Sequence, residues 1–202
     1  MRKRPLGKIF IISGPSGSGK TTLLKKLLKV KELKAKLAKS ISITTRLKRS
    51  GEKAGKDYFF TDSANFKRLL KAKKILEWTR YLGYYYGTPK EFVDKQLKQG
   101  KSIGLCLDLK GARILKQMYP KAAVTIFVRP PSIGELKVRI QGRSDSCDKR
   151  ELQKRLKLAV KELRGKRKFD FSILHKDLRQ ALNTLKGIVL LKINQRTKEL
   201  KN

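Results

Sequence analysis

Cysteine occurs twice in the 202 residues, at Cys106 and Cys147, and histidine once, at His175. The two thiols stand far apart with no CxxC spacing, which argues against a disulfide framework and against a zinc site. Long apolar runs are missing too. The first covers residues 9–12, far short of the ~20 that a membrane helix needs. Nothing reads as a secretory leader, and a reducing cytoplasm is the expected compartment. Acidic residues are the scarcest class relative to their opposite: 16 stand against 52 Lys and Arg, a formal net charge of +36. Such a field draws in polyanions, nucleotides and nucleic acids alike. The lysines recur along the whole chain, as in LLKKLLKVKELKAKLAK and KRLKLAVKELRGKRK, rather than in one patch. No zinc finger, RNP-type aromatic motif or KH-like GxxG loop accompanies them. They read as a compositional bias on solvated helix faces, with non-specific RNA binding at low salt as a by-product.

What is present is concentrated at residues 9–22, IFIISGPSGSGKTT. A short β-branched run breaks into glycines and serines, and helix formers follow at once. Gly14, four residues, Gly19, Lys20 and Thr21 match the phosphate-loop pattern, with the strand before and the helix after that it requires. The loop Gly14, Pro15, Ser16, Gly17, Ser18, Gly19 can curl its N–H groups inward as an anion nest. The start of the helix, at Lys20, Thr21 and Thr22, adds a positive end. Lys20 would reach the β- and γ-phosphates of a nucleoside triphosphate, and the Thr21 hydroxyl would hold Mg²⁺.

The chain beyond alternates strands and helices. Leucine spacing predicts a helix over residues 20–38, and residues 40–45 alternate as a strand. From 46 to 87 charges, glycines and aromatics replace that pattern, as an inserted subdomain would, with strands near 58–60 and 75–79 and a helix over 63–71. Thr88-Pro89 reads as a helix start with a capping hydroxyl, and Gly100 as its stop. Strands follow at 102–107, 123–128, 171–174 and 188–193, and helices at 112–118, 132–141, 150–164 and 176–185. Residues 142–149 are polar and unpatterned, as in a mobile lid, and the tail from Asn194 should fray. The expected class is α/β: a phosphate-loop three-layer α/β/α core on a parallel sheet, plus an inserted subdomain and a lid. One domain spans 1–202, with core segments 1–45, 88–130 and 165–195, an insert at 46–87 and a lid near 138–160.

Residues 40–60, SISITTRLKRSGEKAGKDYFF, then resemble the guanylate kinase family. They carry Ser42, Thr44-Thr45-Arg46, Arg49, Gly51-Glu52 and Gly55-Lys56-Asp57-Tyr58-Phe59-Phe60. Later family blocks resemble Glu77-Trp78, Tyr85-Tyr86-Gly87 and Cys106-Leu107-Asp108-Leu109-Lys110-Gly111. The resemblance implies an ATP:GMP phosphotransferase, working with Mg²⁺ as monomer or homodimer, without a membrane. By resemblance Ser42, Arg46, Arg49, Tyr58 and Tyr86 bind the GMP phosphate. Guanidinium forks suit a dianion, giving paired, charge-assisted bonds. Glu77 would accept from the guanine N1–H and 2-amino group, and Thr88 and Asp108 match guanine-side positions. Trp78 reads as core, and Tyr84 and Tyr85 as packing aromatics.

Arg139 and Arg143 lie four apart at a helix end and so share a face. With Arg155 they match the family's three lid arginines, although the second gap is one residue longer, which makes Lys154 a competitor. With Lys20 they are the expected catalytic cations. Cys106 stands where the family has an acid near the metal, and a thiol is a poor Mg²⁺ ligand. His175-Lys176 replaces an asparagine–aspartate pair, so His175 reads as adenine-side rim or packing rather than as a base. Arg129 is a further unusual charge near that rim. The alternatives are a catalytically impaired interaction domain of this family and a related phosphate-loop kinase acting on another small phosphate ester.

Overall fold

A computed structural model of the chain describes residues 7–142, 149–164 and 169–198. Strand β1 (Ile9–Ser13) is buried throughout because both of its faces are covered. Ile9 and Ile11 point into a cluster with Val93, Leu97, Ile103 and Leu115. Phe10 and Ile12 point the other way, against Leu24, Leu27, Val189 and Ile193. Each such side chain stabilises the fold by roughly 1.5–3 kcal/mol relative to exposure.

β1 is the middle of a five-stranded parallel sheet. On one side lie β7 (Ser102–Cys106) and β2 (Leu37–Lys39), on the other β8 (Ala123–Arg129) and β9 (Phe171–Leu174). Helices α1 (Lys20–Leu27) and α7 (Leu178–Lys198) cover one face, and α3 (Lys90–Lys98) and α4 (Leu109–Met118) the other. The three-layer α/β/α core is therefore present as expected. Helices α5 (Ile133–Gln141) and α6 (Lys149–Arg164) pack on each other through Leu136, Ile140, Leu152 and Ala159.

A second sheet orders β4 (Phe59–Phe60), β3 (Ile43–Thr44), β6 (Tyr84–Pro89) and β5 (Ile75–Tyr81). Helix α2 (Ser63–Lys71) closes it, with Phe66 packed on Ile43 and Ile75. The Asp62 carboxylate caps α2, accepting from Asn65 N–H at 2.7 Å.

Several local expectations fail for physical reasons. The helix from Lys20 ends at Leu27. Val30 is extended, Leu33 lies in a 3₁₀ turn and Leu37 in β2, yet all three leucines reach one apolar cluster. Leucine spacing was set by that cluster rather than by one continuous helix. The strand expected over 40–45 is two residues long, and it pairs in the second sheet. Thr88-Pro89 ends β6 instead of capping α3, whose N-cap Pro89 offers no side-chain bond.

The helix and strand expected over 176–193 are one helix, α7, which continues through the expected fraying tail to Lys198. Its buried residues Ala181, Leu185, Val189 and Ile193 recur every four positions, so the β-branched run serves a helical stripe. Trp78 is not core: it is 39% exposed, because alternation along β5 turns Glu77 inward and its neighbours outward. Tyr84 is exposed as well, whereas Tyr85 does pack, stacked on Phe66. The polar stretch expected as a lid loop lies, for residues 143–148, outside the described residues.

A methyl group at Gly187, inside α7, would meet nothing within 4 Å. Gly187→Ala should therefore stabilise the protein by about 0.5–1 kcal/mol through helix propensity. Urea unfolding followed by circular dichroism measures it, and an unchanged or lower midpoint would refute the account.

Candidate active site

The phosphate loop occupies the carboxyl end of β1, the edge where open parallel sheets leave a crevice. Its last residue, Gly19, has φ of 89° and starts α1 with no side-chain cap and no acid in the first turn. The helix therefore presents its positive end bare of competing protein anions. Lys20 folds back over the loop, its Nζ donating to the Gly14 carbonyl at 2.6 Å and the Pro15 carbonyl at 2.8 Å.

A cleft of about 400 Å³ runs from α1 to the second sheet, lined by Thr21, Thr22, Ser42, Arg49, Tyr58 and Cys106 among others. A larger groove of about 750 Å³ lies elsewhere, beside Lys73, Lys90 and Lys98, and it includes none of the expected site residues. Behind Glu52, which lines the cleft, Arg46 is buried, and its Nη2 donates to both Glu52 oxygens at 2.8 and 2.9 Å. Burial opposes its charge, but the Glu52 carboxylate and the Tyr86 hydroxyl more than offset this and hold the guanidinium above its ordinary value. Glu52 also accepts from the Arg49 backbone N–H at 2.9 Å, which ties the two arginines of the block together. Tyr58 and Tyr86 meet edge to face at 6.0 Å, and the Arg46 guanidinium sits 5.4 Å from the Tyr58 ring centroid. Burial pushes the Tyr58 hydroxyl up to about 12, so at neutral pH it is a donor.

Glu77 is 4% exposed, and one of its oxygens accepts from the Thr88 hydroxyl at 2.6 Å. Burial raises its carboxyl to about 7, helped by Asp108 and opposed by the Thr88 bond and by Lys110. Gly111 makes room for it: a Cβ there would stand 2.6 Å from Glu77 Oε2. Asp108 caps α4, its Oδ1 accepting from Gly111 N–H at 2.8 Å. A glycine three residues after that aspartate therefore serves both the cap and the approach of Glu77.

On the lid side Arg139 donates to Glu135 at 3.0 Å and to the His175 carbonyl at 3.2 Å. Its Nη1 is buried without a partner among the described residues. Arg155 is buried on α6 and Lys154 exposed, so of the two Arg155 is turned inward. Arg143 lies outside the described residues. Cys106, paired beside Ile12, is a neutral thiol: burial pushes it up to about 11 despite Lys20, Lys39 and Thr21. The hard oxygen donor at the loop is the Thr21 hydroxyl, which fits a magnesium ion carried by phosphates and water, whereas the thiol does not.

The family model for guanylate kinase matches residues 6–191. The chain belongs to the guanylate kinase family. It is 41% identical over 185 residues to a guanylate kinase of Caldanaerobacter subterraneus subsp. tengcongensis, covering 91% of this chain and 87% of that one. Similarity to the guanylate kinase of Mycoplasma genitalium is 42% over 184 residues, with 91% and 75% covered. The crystal structure of guanylate kinase from Anaplasma phagocytophilum superimposes with a TM-score of 0.78 at 31% identity, covering 94% of this chain and 87% of that chain.

The sequence alone assigned no role to Glu52, Gly111 or Glu162. Glu52 follows Arg49 by three residues, the reach of a turn, which was the available signal. Glu162 has no comparable signal. It is an acid on α6 that burial raises to about 7, with one oxygen unpartnered.

A buried carboxyl raised to about 7 costs stability once ionised. At pH below the unfolded value of 4.5 both states are protonated and there is no cost. As pH rises through 7 the cost grows to its full value, on the order of 3 kcal/mol at most. Glu77→Gln should therefore raise the melting temperature of the ligand-free protein above pH 7 and lose that advantage toward pH 4.5. A Glu77→Gln increment that is flat with pH would contradict the assignment.

Proposed function

We propose that the chain transfers the γ-phosphoryl group of ATP to GMP, giving ADP and GDP. The observation that supports the reading best is a buried carboxylate, Glu77, bonded by Thr88, beside a cleft that brings Thr21 of the phosphate-loop helix together with Ser42, Arg49 and Tyr58. The loop, from Gly14 to Thr22, holds the ATP phosphates, and Lys20 leaves the Gly14 and Pro15 carbonyls for the β- and γ-oxygens. Ser42, Arg46, Arg49, Tyr58 and Tyr86 hold the GMP phosphate. Glu77, ionised, accepts from the guanine N1–H and 2-amino group, and Thr88, which is bonded to it, and Asp108 contact the guanine side. An acceptor base lacking those donors leaves a buried carboxylate unpaired, a large penalty.

A GMP phosphate oxygen forms the new bond to the γ-phosphorus as the bond from that phosphorus to the bridging oxygen breaks. The attacking oxygen is already anionic, so no protein base is required. Positioning and charge neutralisation carry the rate, and Arg139, Arg143 and Arg155 supply cations as residues 138–160 close as a lid. Thr21 would hold magnesium, which when bound screens the phosphate charge. Residues 46–87 form the GMP-binding portion, and the cytoplasm, where ATP and GMP are present, is the proposed compartment.

ADP release from ATP and Mg²⁺ should be stimulated by GMP and by at least a hundredfold less with AMP, CMP or UMP, given a penalty of about 3 kcal/mol or more for the unpaired carboxylate. Absence of GMP-stimulated turnover in a coupled assay sinks the reading. With the neutral thiol replaced by an oxygen ligand, Cys106→Asp should lower the Mg²⁺ concentration for half-maximal rate, and an unchanged Mg²⁺ curve would show that the position does not touch the metal's water shell.

A further inference from the structure

His175, the one histidine, braces the phosphate loop from outside. It follows β9, and its backbone N–H donates to the Arg129 carbonyl at 2.9 Å, adding one rung beyond the last β8–β9 pair. The side chain is 7% exposed, and its Nδ1 lies 2.7 Å from the Ser18 carbonyl oxygen. A carbonyl only accepts, so Nδ1 carries the proton. The ring also presses on the next residue: a Cβ on Gly19 would stand 2.3 Å from both Nδ1 and Cε1. On its other side the His175 carbonyl accepts from Arg139, whose second terminal nitrogen, Nη1, is buried and unpartnered.

The consequence lies in the Ser18–Gly19 peptide. No peptide bond among the described residues is cis, and in a trans peptide the C=O and the following N–H point in opposite directions. Holding the Ser18 carbonyl against His175 therefore turns the Gly19 N–H away from the ring. Rotating that peptide would replace the donor with a carbonyl, and a carbonyl repels phosphate. Gly19, at φ 89°, has no Cβ to resist such a rotation, so an external restraint is needed there.

We propose that His175 is a positioning residue that locks the Ser18–Gly19 peptide with its N–H toward the anion and links that peptide to Arg139 on the lid side. This rests on the loop being the ATP site, as proposed above. The test compares His175→Phe, which keeps a ring without a donor, with His175→Asn, whose amide nitrogen occupies the place of Nδ1. His175→Phe should weaken ADP binding in calorimetry about fivefold, the worth of an ordinary hydrogen bond. At saturating ADP it should also speed amide exchange at Gly19, and it should leave the KM for GMP unchanged. His175→Asn should restore both ADP affinity and slow exchange. Wild-type behaviour of His175→Phe overturns the proposal, as does equal impairment of the two variants, which would assign the effect to packing. A protein that fails to phosphorylate GMP yet shows the exchange difference would overturn the enzymatic reading and leave the role of His175 standing.

Discussion

A strand covered on both faces can meet a ligand only at its ends, and β1 is such a strand. Ile9 and Ile11 are committed to one apolar layer and Phe10 and Ile12 to the other. The chain must therefore leave the sheet abruptly after Ser13, and it does so where β7 and β8 flank it in parallel. The carboxyl end of β7 brings Cys106 and Asp108 to the same edge, and that of β8 and β9 brings Arg129 and His175. The site is a consequence of this burial. Weakening either layer would move the loop before it altered any residue in it.

The second constraint is the shortage of negative charge. Against 52 cationic side chains, 16 carboxylates cannot neutralise the surface, and several are placed where a specific geometry depends on them. Glu52 fixes Arg46 and the Arg49 backbone. Asp62 and Asp108 cap helices. Asp170 faces burial that would raise its carboxyl, yet bonds from the Thr125 backbone and hydroxyl and from Lys116 hold it below its usual range. It thereby fastens β8 to the segment entering β9. Most of the lysines have no such duty. Their diffuse placement agrees with a compositional origin more than with a nucleic-acid groove, in which cations follow a path.

How much of this was legible depended on the range over which each feature is determined. The phosphate loop, the helix over Ser63–Lys71 and the stop at Gly100 follow from interactions within a few residues, and they stand where expected. Elements decided by distant partners were misread. The leucines from 23 to 37 look like one helix because they share one hydrophobic destination. The run from Ile188 to Ile193 has the β-branched content of a strand, but its buried positions every four residues belong to a helix on β1's layer. Thr88 looked like a cap because a hydroxyl before proline fits one; the buried Glu77 eleven positions away claims it. A longer separation hides Gly111, whose missing Cβ matters only once Glu77 is known to lie against it.

Arg46 shows how the acceptor wall can be ready for a dianion without being destabilised by its absence. An unpaired guanidinium with 8% exposure would carry a large desolvation cost. Glu52 removes that cost while engaging only one terminal nitrogen in its two bonds. The planar group has five donors; Nη1 also donates to the Leu47 carbonyl at 2.5 Å, which fixes the plane, and the remaining donors are left for phosphate. Lys20 solves the same problem differently, using loop carbonyls that it can exchange for phosphate oxygens. The donor lysine must move and the acceptor arginine must not, and the partners chosen for each follow from that difference.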